Sequence, residues 1–322
     1  MRRVLTIGGG TGTFTLLSAL KRIPNLSLTA IVSSADDGGS TGRLRDAYGI
    51  LPPGDARQAL VALAEDGDVL RDLFAYRFAK GDVRGHNLGN LFLVALTDLL
   101  GSDRAALAEC SRILRIQGTV LPASEKAAIL IAQFADGTEA EGEGVIDERI
   151  PARGHVLNVS YREPVELSSA VSDAITNAGT LVMGPGDLYT STAAALLVSG
   201  MKEAIAASSA QMIYVMNLFT KAGQTTGYSA SEHLREAEKY AGRPFDMVIV
   251  NKGTFAPEVL ARYAEEGEYP VEDDLGEDAK FVRQEVASVH MVPPVPEDPV
   301  PRSLARHDSE KLASALAPYL LP

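Results

Sequence analysis

Six consecutive residues near the N-terminus form a loop suited to binding a phosphate group. They are Gly8, Gly9, Gly10, Thr11, Gly12 and Thr13, and they follow the apolar run 4–7. Glycines leave backbone N–H groups accessible to an anion, and the helix that follows points its positive end at that anion. The third glycine of the dinucleotide-binding motif and the Gly-Lys-Ser/Thr of a Walker loop are both missing. The loop therefore predicts a phosphate or diphosphate site rather than a specific NAD or ATP site; a purely structural tight turn is the alternative.

A second polar loop places two adjacent acids after the next predicted strand. Its candidate ligand-binding residues are Ser33, Asp36, Asp37, Ser40 and Arg43. An acid at this position commonly binds ribose hydroxyls in nucleotide-binding folds. In a second interpretation, Asp36 and Asp37 hold Mg²⁺ beside a diphosphate, because hard cations prefer oxygen ligands. In a third, both acids only cap the turn.

Polar residues also interrupt otherwise apolar helical sequence further along the chain. The candidates there are Asp55, His86, Asn87 and Asn90. Asp55 is a predicted helix N-cap, with Gln58 completing a capping-box pattern. His86 directly precedes a predicted helix start, where it either lines a ligand cleft or is a hydrogen-bonded structural histidine.

A third loop and a single amide follow two more predicted strands. Gly184, Gly186 and Asp187 come after the strand 180–183, and Asn217 follows the strand 211–216. Ligands of parallel sheets bind beyond the carboxyl ends of the strands. We therefore expect these residues to converge with the first two loops.

The elements that carry these loops alternate between strand and helix. The pattern predicts an α/β, Rossmann-like, mostly parallel sheet with helices on both faces. A helical subdomain is expected over about 52–116 and a small antiparallel β insertion over about 118–161, where Asp136-Gly137 signals a hairpin. The last strand is predicted at 286–292, and residues 1–322 are read as one domain.

Composition narrows the functional classes. The 322 residues carry a formal net charge of −12, which argues against a nucleic-acid-binding face. The single cysteine, Cys110, excludes a disulfide framework and a cysteine metal cluster. The sequence contains no signal-peptide pattern and no apolar run long enough to span a bilayer, so a cytoplasmic location without a membrane span is expected.

Several motifs resemble one known family, the YvcK-type gluconeogenesis factors of the CofD-like superfamily. The motifs occur in order along nearly the whole chain: IGGGTG (7–12), ADDGGSTGRLR (35–45), LPPGD (51–55), GHNLGNL (85–91), GTVLP (118–122), GPGDLYTS (184–191), RYAEEG (262–267) and RHD (306–308). The second and fourth are the most specific. The resemblance rests on all of these motifs together, and it is much stronger evidence than any single loop.

The resemblance implies a Rossmann-like fold that binds a nucleotide sugar, typically UDP-N-acetylglucosamine or UDP-glucose. YvcK-like proteins regulate carbon partitioning, gluconeogenic growth, cell shape and peptidoglycan precursor supply, without an established reaction. The ligand-binding threonine, tyrosine and arginine of the family map onto Thr11, Tyr263 and Arg306. A homo-oligomer is compatible with the sequence.

The alternative that the resemblance implies is an enzyme. It would be a CofD-like transferase that moves a phospho-acyl group from a guanosine diphosphate-linked donor to a deazaflavin, with Mg²⁺ over the diphosphate. The chain also departs from the YvcK pattern. Asn87 stands where a small residue is usual, and Lys221 and Gln224 replace a glutamine and a glutamate.

Overall fold

The fold is built on a parallel β-sheet. The computed structural model describes residues 1–65, 67, 69–288 and 305–321. The strands in these residues are β1 (Arg2–Gly8), β2 (Leu26–Val32), β3 (Thr119–Pro122), β4 (Leu130–Phe134), β5 (Glu139–Glu141), β6 (Val156–Tyr161), β7 (Thr180–Met183), β8 (Gln211–Val215), β9 (Met247–Asn251) and β10 (Phe281–Gln284). Seven form the main sheet in the order β10-β9-β8-β7-β1-β2-β3, and all its neighbouring strands are parallel.

The central strands are short apolar runs because both of their faces are covered. In β1, residues 4–8 are all buried, and in β7 all four residues are buried. Ile7 pairs in register with Ile31 of β2 and with Met183 of β7. Strands buried on both sides lack the polar alternation of a half-exposed strand.

Helices form a layer on each face of this sheet. They are α1 (Gly10–Leu20), α2 (Gly39–Tyr48), α3 (Pro53–Leu63), α4 (Val69–Ala75), α5 (Leu88–Leu100), α6 (Asp103–Ile113), α7 (Glu143–Ile146), α8 (Ser169–Thr176), α9 (Ala194–Leu196), α10 (Met201–Ala207), α11 (Ala230–Ala241), α12 (Pro257–Glu265) and α13 (Ser309–Leu320). One buried cluster joins α1, α3, α5, α6 and α13 to the sheet. A second large cluster joins α8, α10, α11 and the smaller sheet to the opposite face. The predicted Rossmann-like class with helices on both faces is confirmed.

Helices α3 to α6 lie within the range expected for the helical segment, whereas the β insertion begins later than expected. Helices α3 and α6 contact the main sheet directly, and α5 packs on both of these helices. The insertion begins after Pro122, because Thr119–Pro122 pairs with β2 as the edge strand of the main sheet. Its strands β5-β4-β6 are antiparallel, with the expected Asp136-Gly137 turn.

The last strand also differs from the expectation. Strand β10 ends at Gln284, and Ala287 makes only an isolated bridge to His307. Residues 289–292 of the predicted strand lie outside the described residues. Within the part of the chain that the structure describes, the helices are all too short or too polar to cross a membrane.

Candidate functional site

A cleft of about 620 Å³ lies along the carboxyl edge of the main sheet. Its centre is the glycine loop after β1, together with the loop after β7. What we call the β8 end is lined by Leu218, Phe219, Lys221, Tyr263 and Arg306. What we call the β2 end is lined by Asp36, Ser40, Thr41, Arg57 and Asn90. The strand order places these ends on opposite sides of the glycine loop.

Close backbone contacts shape the glycine loop. A Cβ atom added to Gly12 would lie 2.0 Å from the carbonyl oxygen of Pro185. Only glycine therefore allows the start of α1 to approach the β7 loop this closely. The two loops consequently form one continuous floor at the centre of the cleft.

Asp55 contacts this floor and is not the N-cap of its helix. Helix α3 starts at Pro53, with Pro52 at the N-cap position, so the predicted capping box at Asp55 is wrong. Its Oδ1 instead accepts a hydrogen bond of 2.7 Å from the Gly10 backbone N–H. A Cβ at Gly9 would lie 2.0 Å from the other carboxylate oxygen. One amide of the predicted phosphate loop is thus already occupied by a protein carboxylate.

The adjacent acids Asp36 and Asp37 have different environments. Asp36 lines the cleft, and its Oδ1 accepts a bond of 2.9 Å from Gly38 N–H. Burial raises the pKa of Asp36 above its usual value. Asp37 is absent from the cleft lining and accepts a bond of 2.8 Å from Gly144 N–H. The described residues include no set of three or more His, Cys, Asp or Glu side chains that could hold a metal ion. A Mg²⁺ ion held by this acid pair beside a diphosphate stays a prediction, and Asp36 is the member of the pair that lines the cleft.

A chain of buried polar side chains forms the β2 end. Arg57 Nε donates to Asn90 Oδ1 at 2.9 Å, and Asn90 Nδ2 donates to Ser40 Oγ at 3.3 Å. Ser40 Oγ lies 3.1 Å from His86 Nδ1. The exposed fractions of Arg57, Asn90 and Ser40 are 8%, 3% and 4%. Fixed partners hold these groups in a defined geometry, so the cleft presents preorganised donors and acceptors here.

His86 and Asn87 lie outside the cleft lining and contact residues of the β2 end, Ser40 and Asn90 respectively. His86 contacts Ser40, and its pKa is lowered by burial and then by Arg43 and Arg77. Asn87 is the N-cap of α5, where Oδ1 accepts bonds from the N–H groups of Gly89 and Asn90. Its Nδ2 donates to the Ala75 carbonyl oxygen at 3.0 Å. Asn87 thus has a capping role where the sequence suggested a ligand contact.

Lys221 connects two carboxylates in the cleft wall. Its Nζ lies 2.7 Å from Asp147 Oδ1 and 2.5 Å from Asp187 Oδ2. Burial alone would favour the neutral amine, but the two carboxylates raise the pKa of Lys221 above its usual value. Gln224 Nε2 also donates to Asp147, at 2.8 Å. Two of the three departures from the family pattern, Lys221 and Gln224, therefore both bind Asp147.

The β insertion supplies one wall of the cleft, a feature that the sequence did not reveal. This wall consists of helix α7 and the residues after it. At one end the Gly144 N–H donates to Asp37, and at the other Arg149 contacts Glu268. Arg149 Nε lies 2.8 Å from Glu268 Oε1 and 2.9 Å from Glu266 Oε2. Burial, with Asp36 and the other nearby acids, raises the pKa of Glu143 well above its usual value. The only sequence signal was a cluster of charged residues after the hairpin.

The β8 end combines aromatic side chains with the C-terminal segment. The Tyr263 ring is 5% exposed and stacks on Phe219 with 3.9 Å between ring centroids. Tyr263 Oη accepts a bond of 2.9 Å from the Ala305 N–H, next to Arg306. His307 Nε2 lies 3.1 Å from the Met216 carbonyl oxygen, and burial lowers the pKa of His307 to about 4. This histidine is therefore neutral at pH 7 and donates from Nε2.

The predicted site residues divide into two groups. Those that line the cleft are Gly10, Thr11, Gly12, Asp36, Ser40, Asp55, Asn90, Gly186, Asp187, Asn217, Tyr263 and Arg306. Those outside the lining are Gly8, Gly9, Thr13, Ser33, Asp37, Arg43, His86, Asn87 and Gly184. The lining also includes residues that the site prediction did not name, among them Thr15, Thr41, Arg57, Arg77, Glu143, Asp147, Arg149, Ser191, Leu218, Phe219, Lys221, Glu268 and His307.

Comparison with known proteins agrees with this architecture. The family model described as 2-phospho-L-lactate transferase CofD matches residues 4–292. A crystal structure of a UPF0052 family member from Bacillus halodurans superimposes with a TM-score of 0.86 at 36% identity and covers 100% of both chains.

Sequence relatives cover nearly the whole chain. A relative from Thermotoga maritima is 43% identical over 314 residues, which are 98% of this chain and 98% of the relative. The Bacillus subtilis protein named gluconeogenesis factor is 36% identical over 322 residues, with 99% of this chain and 98% of the relative covered. The chain therefore belongs to the CofD family and, within it, to the group of proteins named gluconeogenesis factor.

Proposed function

We propose that the protein is a cytoplasmic nucleotide-sugar-binding regulator. The observation that supports this proposal is the order in which different kinds of residue follow one another along the cleft. An aromatic and cationic end is followed by a glycine loop and then by a polar end. A nucleotide sugar has the same order: a planar base, a diphosphate and a sugar. The favoured ligands are UDP-N-acetylglucosamine and UDP-glucose.

The β8 end suits the nucleoside part of such a ligand. Leu218, Phe219 and Tyr263 offer an apolar wall against which a pyrimidine can pack. Phe219 already covers one face of the Tyr263 ring, so the base contacts the remaining surface of this aromatic pair. Arg306 provides a guanidinium group that can bind a phosphate with two parallel hydrogen bonds.

The glycine loop suits the diphosphate even though Asp55 occupies the Gly10 amide. Thr11 and Gly12 line the cleft at the first turn of α1. A helix N-terminus attracts anions through its first amides and its dipole. The Asp55 carboxylate lowers this attraction, so part of the affinity must come from Arg306.

The regulatory role is proposed from the relatives. The name gluconeogenesis factor refers to carbon metabolism. We propose that this chain senses a nucleotide sugar and thereby links carbon partitioning to cell shape and peptidoglycan precursor supply.

A transferase activity is the second candidate function, favoured by the match to the CofD family model. The reaction would transfer a phospho-acyl group from a guanosine diphosphate-linked donor to a hydroxyl of a deazaflavin, with cleavage of the bond between the two phosphates and release of GMP. Incubation of the protein with donor, deazaflavin and Mg²⁺ tests it. Product formation would favour the transferase function over the regulatory one. Absence of product with folded protein would exclude the transferase function.

Titration calorimetry with UDP-N-acetylglucosamine tests the proposed function. We expect saturable binding, and we expect Thr11→Ala, Tyr263→Ala and Arg306→Ala each to weaken it by about 1–3 kcal/mol. Tyr269→Ala is a matched control, because the Tyr269 side chain is 56% exposed and its backbone hydrogen-bonds Thr220 in the loop after β8. Thermal melts verify that each variant is folded. Absence of heat at millimolar ligand, or stronger binding of NAD in competition, would contradict the proposal.

A further inference from the structure

We propose that Asp147 and Asp187, joined by Lys221, form a receptor for the ribose of the nucleotide and make the cleft select ribonucleotides over 2′-deoxyribonucleotides. This assignment rests on the proposed function, since it assumes that the base packs at the β8 end and the diphosphate lies on the glycine loop. It places the ribose over the loop after β7 rather than beside Asp36, the acid after β2 whose counterpart commonly binds ribose in nucleotide-binding folds.

The order of the strands is the first argument. In the main sheet, β7 lies between β8 and β1. The loops that follow these strands reach the cleft in the same order, so the β7 loop lies between the β8 end and the glycine loop. In a nucleoside diphosphate, the ribose links the base to the phosphates. Neighbouring strands are about 5 Å apart, which is close to the step from a pyrimidine to its ribose, so the ribose lies over the loop that carries Asp187.

The side chain of Asp187 is the second argument. Asp187 directly precedes the helical turn Leu188–Ala193, a position from which a carboxylate ordinarily caps the first helical amides. It makes no such bond, and its Oδ2 lies 2.5 Å from Lys221 Nζ instead. The side chain lines the cleft and is 33% exposed. Because none of the residues that the structure describes donates a hydrogen bond to Oδ1, this oxygen can accept one from a ligand.

Asp147 completes the pair from the β insertion. Its Oδ1 is fully engaged, because Lys221 Nζ lies at 2.7 Å and Thr190 Oγ1 and Gln224 Nε2 each donate at 2.8 Å. Within the described part of the chain, its Oδ2 accepts no hydrogen bond, and the side chain lines the cleft with an exposed fraction of 25%. Each carboxylate thus has one oxygen fixed by the protein and one that a ligand can use.

The shared ammonium group makes this pair suited to a diol. Both carboxylates contact the same Nζ atom, so they lie side by side. The 2′ and 3′ hydroxyls of ribose are adjacent and each donates one hydrogen bond, which matches two neighbouring carboxylate oxygens. Hydrogen bonds to a charged acceptor are stronger than those between neutral groups. A ligand without the 2′ hydroxyl leaves one acceptor unpaired, so the site discriminates against the deoxy sugar.

Lys221 is a positioning residue in this receptor. Its backbone N–H donates to Thr225 Oγ1 at 2.8 Å, and its side chain is only 14% exposed. Although burial alone favours a neutral amine, the two carboxylates raise the pKa of Lys221 above its usual value, so it stays a cation at neutral pH. Without this cation the carboxylates would repel each other and turn apart. The ammonium group therefore fixes the spacing of the two acceptors.

Calorimetric titration with UDP and 2′-deoxy-UDP tests this assignment on the full chain. Wild-type protein should bind UDP at least about tenfold more tightly than 2′-deoxy-UDP. Asp187→Ala should bring this affinity ratio close to one, because the acceptor is gone. Lys221 keeps Asp147 as its partner in that variant, so the loop should still fold. Asp187→Asn, which keeps the shape of the side chain, should lower the ratio less, and thermal melts verify that both variants are folded.

Two substitutions of Lys221 separate positioning from a purely structural role. Lys221→Gln removes the cation and should lower the ratio of UDP to 2′-deoxy-UDP affinity by about threefold or more. Lys221→Arg keeps a cation between the carboxylates and should retain most of the ratio. A role in stability alone would weaken both ligands in parallel, so an unchanged ratio in Lys221→Gln would overturn the positioning role.

Asp36→Asn is the matched comparison, because Asp36 is also an acid that lines the cleft after a parallel strand. It should leave the ratio of UDP to 2′-deoxy-UDP affinity unchanged. A fall of this ratio in Asp36→Asn, or equal losses for both ligands in Asp187→Ala, would place the ribose elsewhere and overturn the assignment. Wild-type protein that binds UDP and 2′-deoxy-UDP equally refutes this inference alone, whereas protein that binds neither of them nor UDP-N-acetylglucosamine refutes the proposed function as well.

Discussion

His307 shows how a single buried residue couples stability to pH. It is 8% exposed, and burial lowers its pKa to about 4. Well above pH 6.5, the usual pKa of histidine, the imidazole is neutral in both the folded and the unfolded chain. Between about pH 6.5 and pH 4 the unfolded chain binds a proton that the folded chain does not, so this residue makes stability fall as pH falls. The loss reaches at most about 3 kcal/mol.

Urea denaturation of wild type and His307→Gln between pH 7 and pH 4 measures this effect. Glutamine can still donate a hydrogen bond to the Met216 carbonyl oxygen but does not titrate. The difference in unfolding free energy between the two proteins should therefore shift in favour of the variant as the pH is lowered. The acids with raised pKa values, such as Asp36 and Glu143, cancel in this difference. His155→Gln serves as control, and a pH-independent difference for His307→Gln would contradict the prediction.

At the scale of a helix, Asn87 decides where α5 begins. Its Oδ1 accepts the first amides of the helix, and its Nδ2 fixes the end of α4 through Ala75. Asn87→Ala removes both contacts and should lower the free energy of unfolding by about 1–2 kcal/mol. Asn87→Asp keeps the capping acceptor and should lose less. Chemical denaturation with Ser102→Ala, which removes the exposed cap of α6, provides a comparison of the same kind.

The same variants distinguish a cap from a ligand contact. Because Asn87 is absent from the cleft lining, Asn87→Asp should bind UDP-N-acetylglucosamine with nearly wild-type affinity. If Asn87→Asp has normal stability but binds the ligand more than about tenfold more weakly, Asn87 contacts the ligand and belongs to the binding site.

At the scale of the whole molecule, Lys221 joins three segments that are distant in sequence. It connects its own loop after β8 with Asp147 of the insertion and Asp187 of the β7 loop. Lys221→Met would leave two partly buried carboxylates facing each other without their cation. We expect the free energy of unfolding to fall by about 2 kcal/mol, less than for a fully buried pair because Asp147 and Asp187 are partly exposed.

A double-mutant cycle with Asp147→Asn checks that the loss comes from these charges. The second substitution removes one unpaired carboxylate and should recover part of the stability. Lys239→Met is the surface control, since Lys239 is paired with Glu236 on the same helix and its side chain is 43% exposed. Such a pair contributes less than about 1 kcal/mol. Similar losses for Lys221→Met and Lys239→Met would contradict a special role for Lys221.

The sequence by itself determined the local and periodic features of this protein. Apolar runs such as 180–183 become strands because burial on both faces requires them to be apolar. Local patterns predicted the glycine loop, the Asp136-Gly137 hairpin and the lining positions of Asp36 and Asn217, and the family resemblance predicted that of Tyr263. Parallel strands bring loops that follow them to one edge, so their convergence was predictable without coordinates.

Only the tertiary structure decided which distant side chains meet. Asp55 binds Gly10 instead of capping its own helix, and the insertion closes the cleft through Glu143, Asp147 and Arg149. Thr119–Pro122 joins the main sheet because its neighbour β2 offers an unpaired edge. Such contacts depend on how packed layers place residues a hundred positions apart, and no local pattern in the chain encodes that placement.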